Sequence, residues 1–101
     1  MSQLQNIVKE LRDISNQVVL LVENEKWDVL DEIVGIIRLF GENIHSNGIR
    51  TVEHVAELQA IKKENLQLYV NVVYDNLQLL ITEYEALIEV EHQNQIVFPF
   101  R

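Results

Sequence analysis

Polar and apolar positions alternate along this chain at helical spacing almost throughout. Leu4, Ile7, Val8, Leu11, Ile14, Val18, Leu21 and Val22 recur at intervals of three and four behind Ser2, a suitable N-cap, which predicts an amphipathic helix over 3–23. Lys9, Glu10, Arg12, Asp13, Asn16 and Gln17 fall mostly on its opposite face, and Leu20 lies outside the stripe. Asn24 then suits a cap, and Glu25 and Asp28 place negative charge in the first turn of a second helix over about 25–45. A connection this short implies antiparallel neighbours. Trp27, Leu30, Ile33, Val34, Ile37, Phe40 and Ile44 give the second helix one broad apolar face, while Val29, Ile36 and Leu39 spill around its back. Gly35 and Gly41 each cost a helix interior up to about 1 kcal/mol, which points to close helix approach at both. Ser46, Asn47 and Gly48 end the element, with Asn47 or Gly48 expected in the left-handed cap conformation before Thr51.

From Thr51 to about His92 there is neither Pro nor Gly, so the chain reads as one long helix of roughly 60 Å at about 1.5 Å per residue. Glu57, Glu64, Gln67, Asn71, Asp75, Gln78, Thr82, Glu85 and Glu89 project into one narrow polar sector. Two apolar ridges share the remaining arc. Leu66, Val70, Val73, Leu77, Ile81, Tyr84 and Ile88 form the first; Ile61, Leu68, Val72, Leu79 and Leu87 form the second. An ordinary surface helix shows an apolar stripe of about 100°, and this arc is about twice as wide, so it must be covered on two sides. Two shorter helices of roughly 30 to 35 Å can flank only about half of it. The fold class expected is therefore all-α: a single domain over 1–101, an antiparallel bundle of two shorter helices and one long one, completed by dimerisation or by a client helix.

Asn65, Asn76 and Glu83 run between the two ridges as a polar seam. They either border the place where the first two helices meet the third, or set the register of a dimer or a docked helix. Because it removes a polar break between two apolar ridges, Asn76→Leu is expected to raise thermal stability or change the oligomeric state. Past His92 the helical pattern dissolves into the apolar tail 96–101, where Pro99 forbids further helix. That tail either folds back on the bundle or binds a partner, with Phe98 and Phe100 as its anchors. The expected partner-binding residues are thus Asn65, Leu68, Val72, Asn76, Leu79, Glu83, Leu87, Phe98 and Phe100.

A net charge of -8, without clustered Lys or Arg, argues against a duplex nucleic-acid binder. Between Lys63 and Arg101 there is no Lys or Arg at all, and Glu83, Glu85, Glu89 and Glu91 crowd the end of the long helix. That end is either simply solvated or the dock for a basic flank of the partner helix. Cysteine is absent, as is ordinary in the cytosol, and neither a signal peptide nor a membrane span fits. Glu42/His45 and Glu89/His92 repeat the Glu-x-x-His spacing of dinuclear carboxylate bundles, but both pairs lie at helix ends, where such sites do not sit. Ser2, Ser15, Ser46 and three scattered histidines assemble no nucleophile with a base, and no glycine-rich phosphate loop occurs. Neither an enzyme nor a cofactor or metal site is expected.

The run Glu23-Asn24-Glu25-Lys26-Trp27-Asp28-Val29-Leu30, an aliphatic helix passing through an acidic turn into Trp-Asp-x-Leu, resembles the flagellar type III export chaperones of the FliT and FlgN kind. Leu58-x-x-Ile61, Asn65, Leu79-Leu80 and Tyr84-x-x-Leu87 in the long helix add to the likeness, which covers about 4–90. The resemblance implies a non-enzymatic cytoplasmic chaperone that masks an amphipathic terminal helix of a secreted flagellar subunit. The other class consistent with the pattern is a self-contained helical homodimer acting as adaptor, scaffold or inhibitor.

Overall fold

The computed structural model describes residues 2–97, with side chains as far as 93. It contains four helices and, among the described residues, no strand: α1 Gln3–Glu23, α2 Trp27–Asn43, α3 Val52–Glu64 and α4 Leu66–Val97. The all-α expectation holds, but the single long helix does not. It is broken at Asn65, whose φ of -151° and ψ of 94° are extended rather than helical.

Each boundary has a local cause. Ser2 opens α1 with a capping box, its hydroxyl accepting from the Gln5 N–H at 3.2 Å while its own N–H donates to Gln5 Oε1 at 2.9 Å. Asn24 closes α1 rather than opening α2: its side-chain Nδ2 donates to the Leu20 carbonyl at 2.8 Å. Both α1 and α2 end in Schellman motifs. The Lys26 N–H reaches the Leu21 carbonyl and that of Ser46 reaches the Gly41 carbonyl, at 2.9 and 2.8 Å. The left-handed residues in these motifs are Glu25 and His45, with φ of 54° and 52°; neither Asn47 nor Gly48 takes that conformation. Thr51 caps α3 through the His54 N–H at 3.1 Å.

Asn65 breaks the long helix without Gly or Pro because its side chain competes for the backbone. Oδ1 accepts from the Leu68 N–H at 3.0 Å, which makes Asn65 the N-cap of α4, and Lys62 and Lys63 place positive charge at the C-terminus of α3 just before it. The chain therefore doubles back. Ile61 and Val72, neighbours on one projected ridge, line the same small cleft from opposite arms of a helical hairpin, together with Leu58 and Ile49. The second cover that the wide apolar arc demands comes in part from its own first turns.

α1 runs antiparallel to α4. Ser15 Oγ accepts from Gln78 Nε2 at 2.6 Å at mid-length, Arg12 pairs with Glu85, and Val8 lies beside Ile88. α2 lies on the other flank, where the Tyr84 hydroxyl donates to the Phe40 carbonyl at 2.8 Å and the two rings stand edge to face. Leu11, Leu30, Val34, Ile37, Tyr69, Val73, Leu77, Leu80 and Tyr84 are fully buried at the centre. Burial of each such side chain contributes roughly 1.5–3 kcal/mol. Past Tyr84 the first turns of α1 lie beside α4. Among the described residues no helix is long and apolar enough to cross a membrane.

Of the two helical glycines only Gly41 reflects close approach: a Cβ there would stand 2.5 Å from the Ile49 carbonyl oxygen. Around Gly35 nothing lies within 4 Å, so the expectation of close helix approach fails there.

Candidate partner-binding surface

The residues expected to meet a partner divide into three groups. Leu68, Leu79 and Leu87 of the second ridge are exposed, and Val72 is half-buried in the α3/α4 cleft. Leu68 and Leu87 lie about 28 Å apart along α4, so the ridge forms separate apolar spots rather than one patch. Phe98 and Phe100 lie outside the described residues. The tail as drawn from sequence also shortens, because α4 continues through Val97.

The polar seam is spent inside the molecule. Asn65 is the α4 cap. Asn76 Oδ1 accepts from the N–H of buried Ile49 at 3.1 Å while its Nδ2 donates to the Val72 carbonyl at 2.9 Å. Glu83 accepts from the Ser46 hydroxyl and, at 3.0 Å, from the Asn47 N–H. These two residues fasten the α2–α3 loop to α4, one satisfying its entrance and the other its exit. Glu83 is thus engaged within the molecule, and Glu85 is paired with Arg12. Of the four glutamates at this end, Glu89 and Glu91 face solvent without such contacts.

A second fastening joins α2, α3 and α4 around Asp31. Its carboxylate accepts from the Tyr69 hydroxyl at 2.6 Å, Lys62 Nζ at 2.8 Å and Gln59 Nε2 at 3.2 Å. Partial burial pushes the Asp31 carboxyl up, but the hydrogen bonds from Lys62, Tyr69 and Gln59 and the Lys62 charge outweigh it, and the group lies below its ordinary value. Burial, together with the adjacent carboxylate, raises the Tyr69 phenol well above its ordinary value.

A further concavity lies elsewhere, where sequence reasoning did not place a site. It is a groove of about 610 Å³ between the C-terminal half of α1 and the N-terminal half of α4. Val18, Val22 and Val70 form its floor, and Val19 and Tyr74 form its lips, 61% and 42% exposed. Glu23 and Asp75 stand at its edge with Gln67 and Asn71. The signal was present in the aliphatic run 18–22, which carries more apolar residues than one helical face can bury. Val18 and Val22 read as core, and the stripe, with Leu20 alone set outside it, gives Val19 no place. An open apolar trough with an acidic edge can hold the side chains of an apposed helix.

Among the described residues no group of three or more His, Cys, Asp or Glu is placed to hold a metal ion. Glu42 and His45 are exposed on either side of the α2 terminus, and Glu89 and His92 are exposed on α4. Compared with family models, curated proteins and solved structures, the chain matches no family model, no curated protein and no solved structure.

Proposed function

We propose that this chain is a non-enzymatic protein-binding module that holds an amphipathic helix of another protein in the α1/α4 groove. The observation that carries the reading is the groove's lining. Five apolar side chains from two antiparallel helices form a trough with carboxylates at its edge, and two of those five stand exposed. A third helix laid there would bury Val19 and Tyr74 at the centre of the contact, where aromatic anchors contribute most, and a basic flank would meet Glu23 and Asp75. The chain's net charge of -8 favours the approach of such a partner.

The resemblance of the α1–α2 turn to flagellar export chaperones supports a finer form. In it the chain is a cytoplasmic chaperone, and the helix held is the amphipathic terminal helix of a secreted flagellar subunit. The test is titration of a labelled peptide of that kind against the parent, Val19→Glu, Tyr74→Ala and Leu79→Asp. Val19 and Tyr74 are exposed enough to change without loss of fold, which circular dichroism checks. Each groove variant is expected to weaken binding about thirtyfold or more, and Leu79→Asp to leave it within a few-fold. If Leu79→Asp abolishes binding while the groove variants do not, the second ridge is the site and the groove reading fails. If the parent binds a generic basic amphipathic helix but no flagellar peptide, the finer form alone falls.

A further inference from the structure

Asn65 is the only residue between Val52 and Val97 outside a helix, and it is neither Gly nor Pro. A one-residue junction between antiparallel helices allows two arrangements of the same chain. In the hairpin seen here Asn65 is extended and caps α4. With Asn65 helical, α3 and α4 become one continuous helix, and the N–H groups of Leu66, Gln67 and Leu68 gain the carbonyls of Lys62, Lys63 and Glu64 as partners. The straight form gives up nothing in side-chain packing if a second copy restores it. Nearly all that holds α4 joins it to the segments before the junction: Tyr69 to Asp31, Gln78 to Ser15, Asn76 to Ile49 and Tyr84 to Phe40.

We propose that Asn65 is a hinge about which α4 is exchanged between two copies of this chain, giving a dimer in which each α4 fills the trough made by α1, α2 and α3 of the other copy. Both states then contain the same interhelix contacts, and the balance between them is set by the hinge and by concentration. Short junctions favour such exchange because they hold the chain in a turn that a straight helix relieves. The second copy is the only occupant that reproduces the Asp31, Ser15, Ile49 and Phe40 contacts residue for residue, and so it is the partner that fits. This exchange is independent of the α1/α4 groove, which both states retain.

Two substitutions move the balance in opposite directions. Asn65→Ala removes the α4 cap and favours continuous helix, and since a dimer contains two hinges its dissociation constant should fall about thirtyfold, a few-fold for each. Leu66→Pro occupies the first position of α4, where an N–H has no intrahelical partner, and holds the preceding residue extended, so it fixes the hairpin. Light scattering over a hundredfold concentration range reads the mass. Because the chain contains no cysteine, Ser15→Cys with Gln78→Cys gives a single pair to bridge with a short bis-maleimide.

In the exchanged dimer the bridge links two chains and survives denaturing electrophoresis; in the hairpin it stays within one. The expected result is a concentration-dependent covalent dimer, enriched by Asn65→Ala and abolished by Leu66→Pro. A dimer whose bridges remain within one chain, or an Asn65→Ala protein that stays monomeric throughout, overturns the proposal even if Leu66→Pro fails to fold.

Discussion

The seam between α1 and α4 and the region where the α2–α3 loop meets α4 share one helix, yet they are built on different principles. Along the seam apolar residues interlock and polar ones face water, with the Ser15–Gln78 bond as an addition. At the loop the apolar surface is interrupted on purpose: Asn76 and Glu83 satisfy backbone and hydroxyl donors of a segment that has no helix to satisfy its own. The Ile49 carbonyl presses on Gly41, and the Asn76 side chain on Gly48. A seam of the first kind tolerates change in proportion to buried area. A region of the second kind depends on single atoms, because removal of one acceptor strands a buried donor.

The largest effects should therefore fall at the loop. In Gly41→Ala the new methyl would stand 2.5 Å from a backbone oxygen, so α2 or the loop must shift. A loss of about 3 kcal/mol is expected, read as a fall in Tm of more than 10 °C. Asn76→Leu should cost about 2 kcal/mol by leaving the Ile49 N–H without an acceptor. That is the opposite sign to the one the sequence suggests, where Asn76 looks like a polar break whose removal would stabilise. If Asn76→Leu melts above the parent, the loop is held by its apolar contacts and the contrast with the seam disappears.

Asp31 extends the contrast to the far end of α3. Asp31→Ala strands the hydroxyl of fully buried Tyr69 and leaves Lys62 without its partner, at a cost of about 2 kcal/mol at neutral pH. The folded Asp31 carboxyl titrates below its ordinary value near 3.8, so its contribution is complete above that value and is lost as the pH falls through the folded one. Tyr69 is raised from its ordinary value near 10, so its contribution is complete below that value and is lost as the pH rises through the folded one. Denaturant titrations should thus show parent and variant converging in acid, while the parent weakens in alkali. A gap that stays unchanged as the pH is lowered until the carboxyl is protonated would mean that the charge on Asp31 is not what fastens α3.

What the sequence revealed follows the same division. The stripe of α1 and the wet sector of α4, from Gln67 to Glu89, are where periodicity puts them, because a helix with one apolar and one polar face has a single way to lie. Periodicity is blind to a hairpin that preserves it, and Ile61 and Val72 read as one ridge whether they follow each other or face each other. The clue to the break was local: two lysines where a helix end prefers cations, then Asn before Leu-x-Leu. The uses of Asn76 and Glu83 were not legible, since which backbone donor meets a side chain depends on where a loop lands. The α1/α4 groove is hidden for the converse reason. Val18 does lie in the core, but a stripe gives direction and not depth, and so does not show that Val22 is only partly covered.

The smallest effects belong away from the loop. Gln78→Leu at the seam removes the Ser15 bond but puts apolar surface beside a mostly apolar contact, and should change stability by less than about 1 kcal/mol. Gly35→Ala completes the contrast within a single helix. Gly35 is exposed near the middle of α2, less than two turns before Gly41, with no atom within 4 Å of an added methyl and no positive φ to lose. The substitution removes backbone freedom from the unfolded chain and should stabilise by roughly 0.5–1 kcal/mol, raising Tm by about 4 °C. The same chemical change in the same helix is thus expected to act in opposite directions, decided only by whether the loop is beside it. A fall in Tm for Gly35→Ala that grows with protein concentration would place a second chain against that face of α2, where the single chain shows open space.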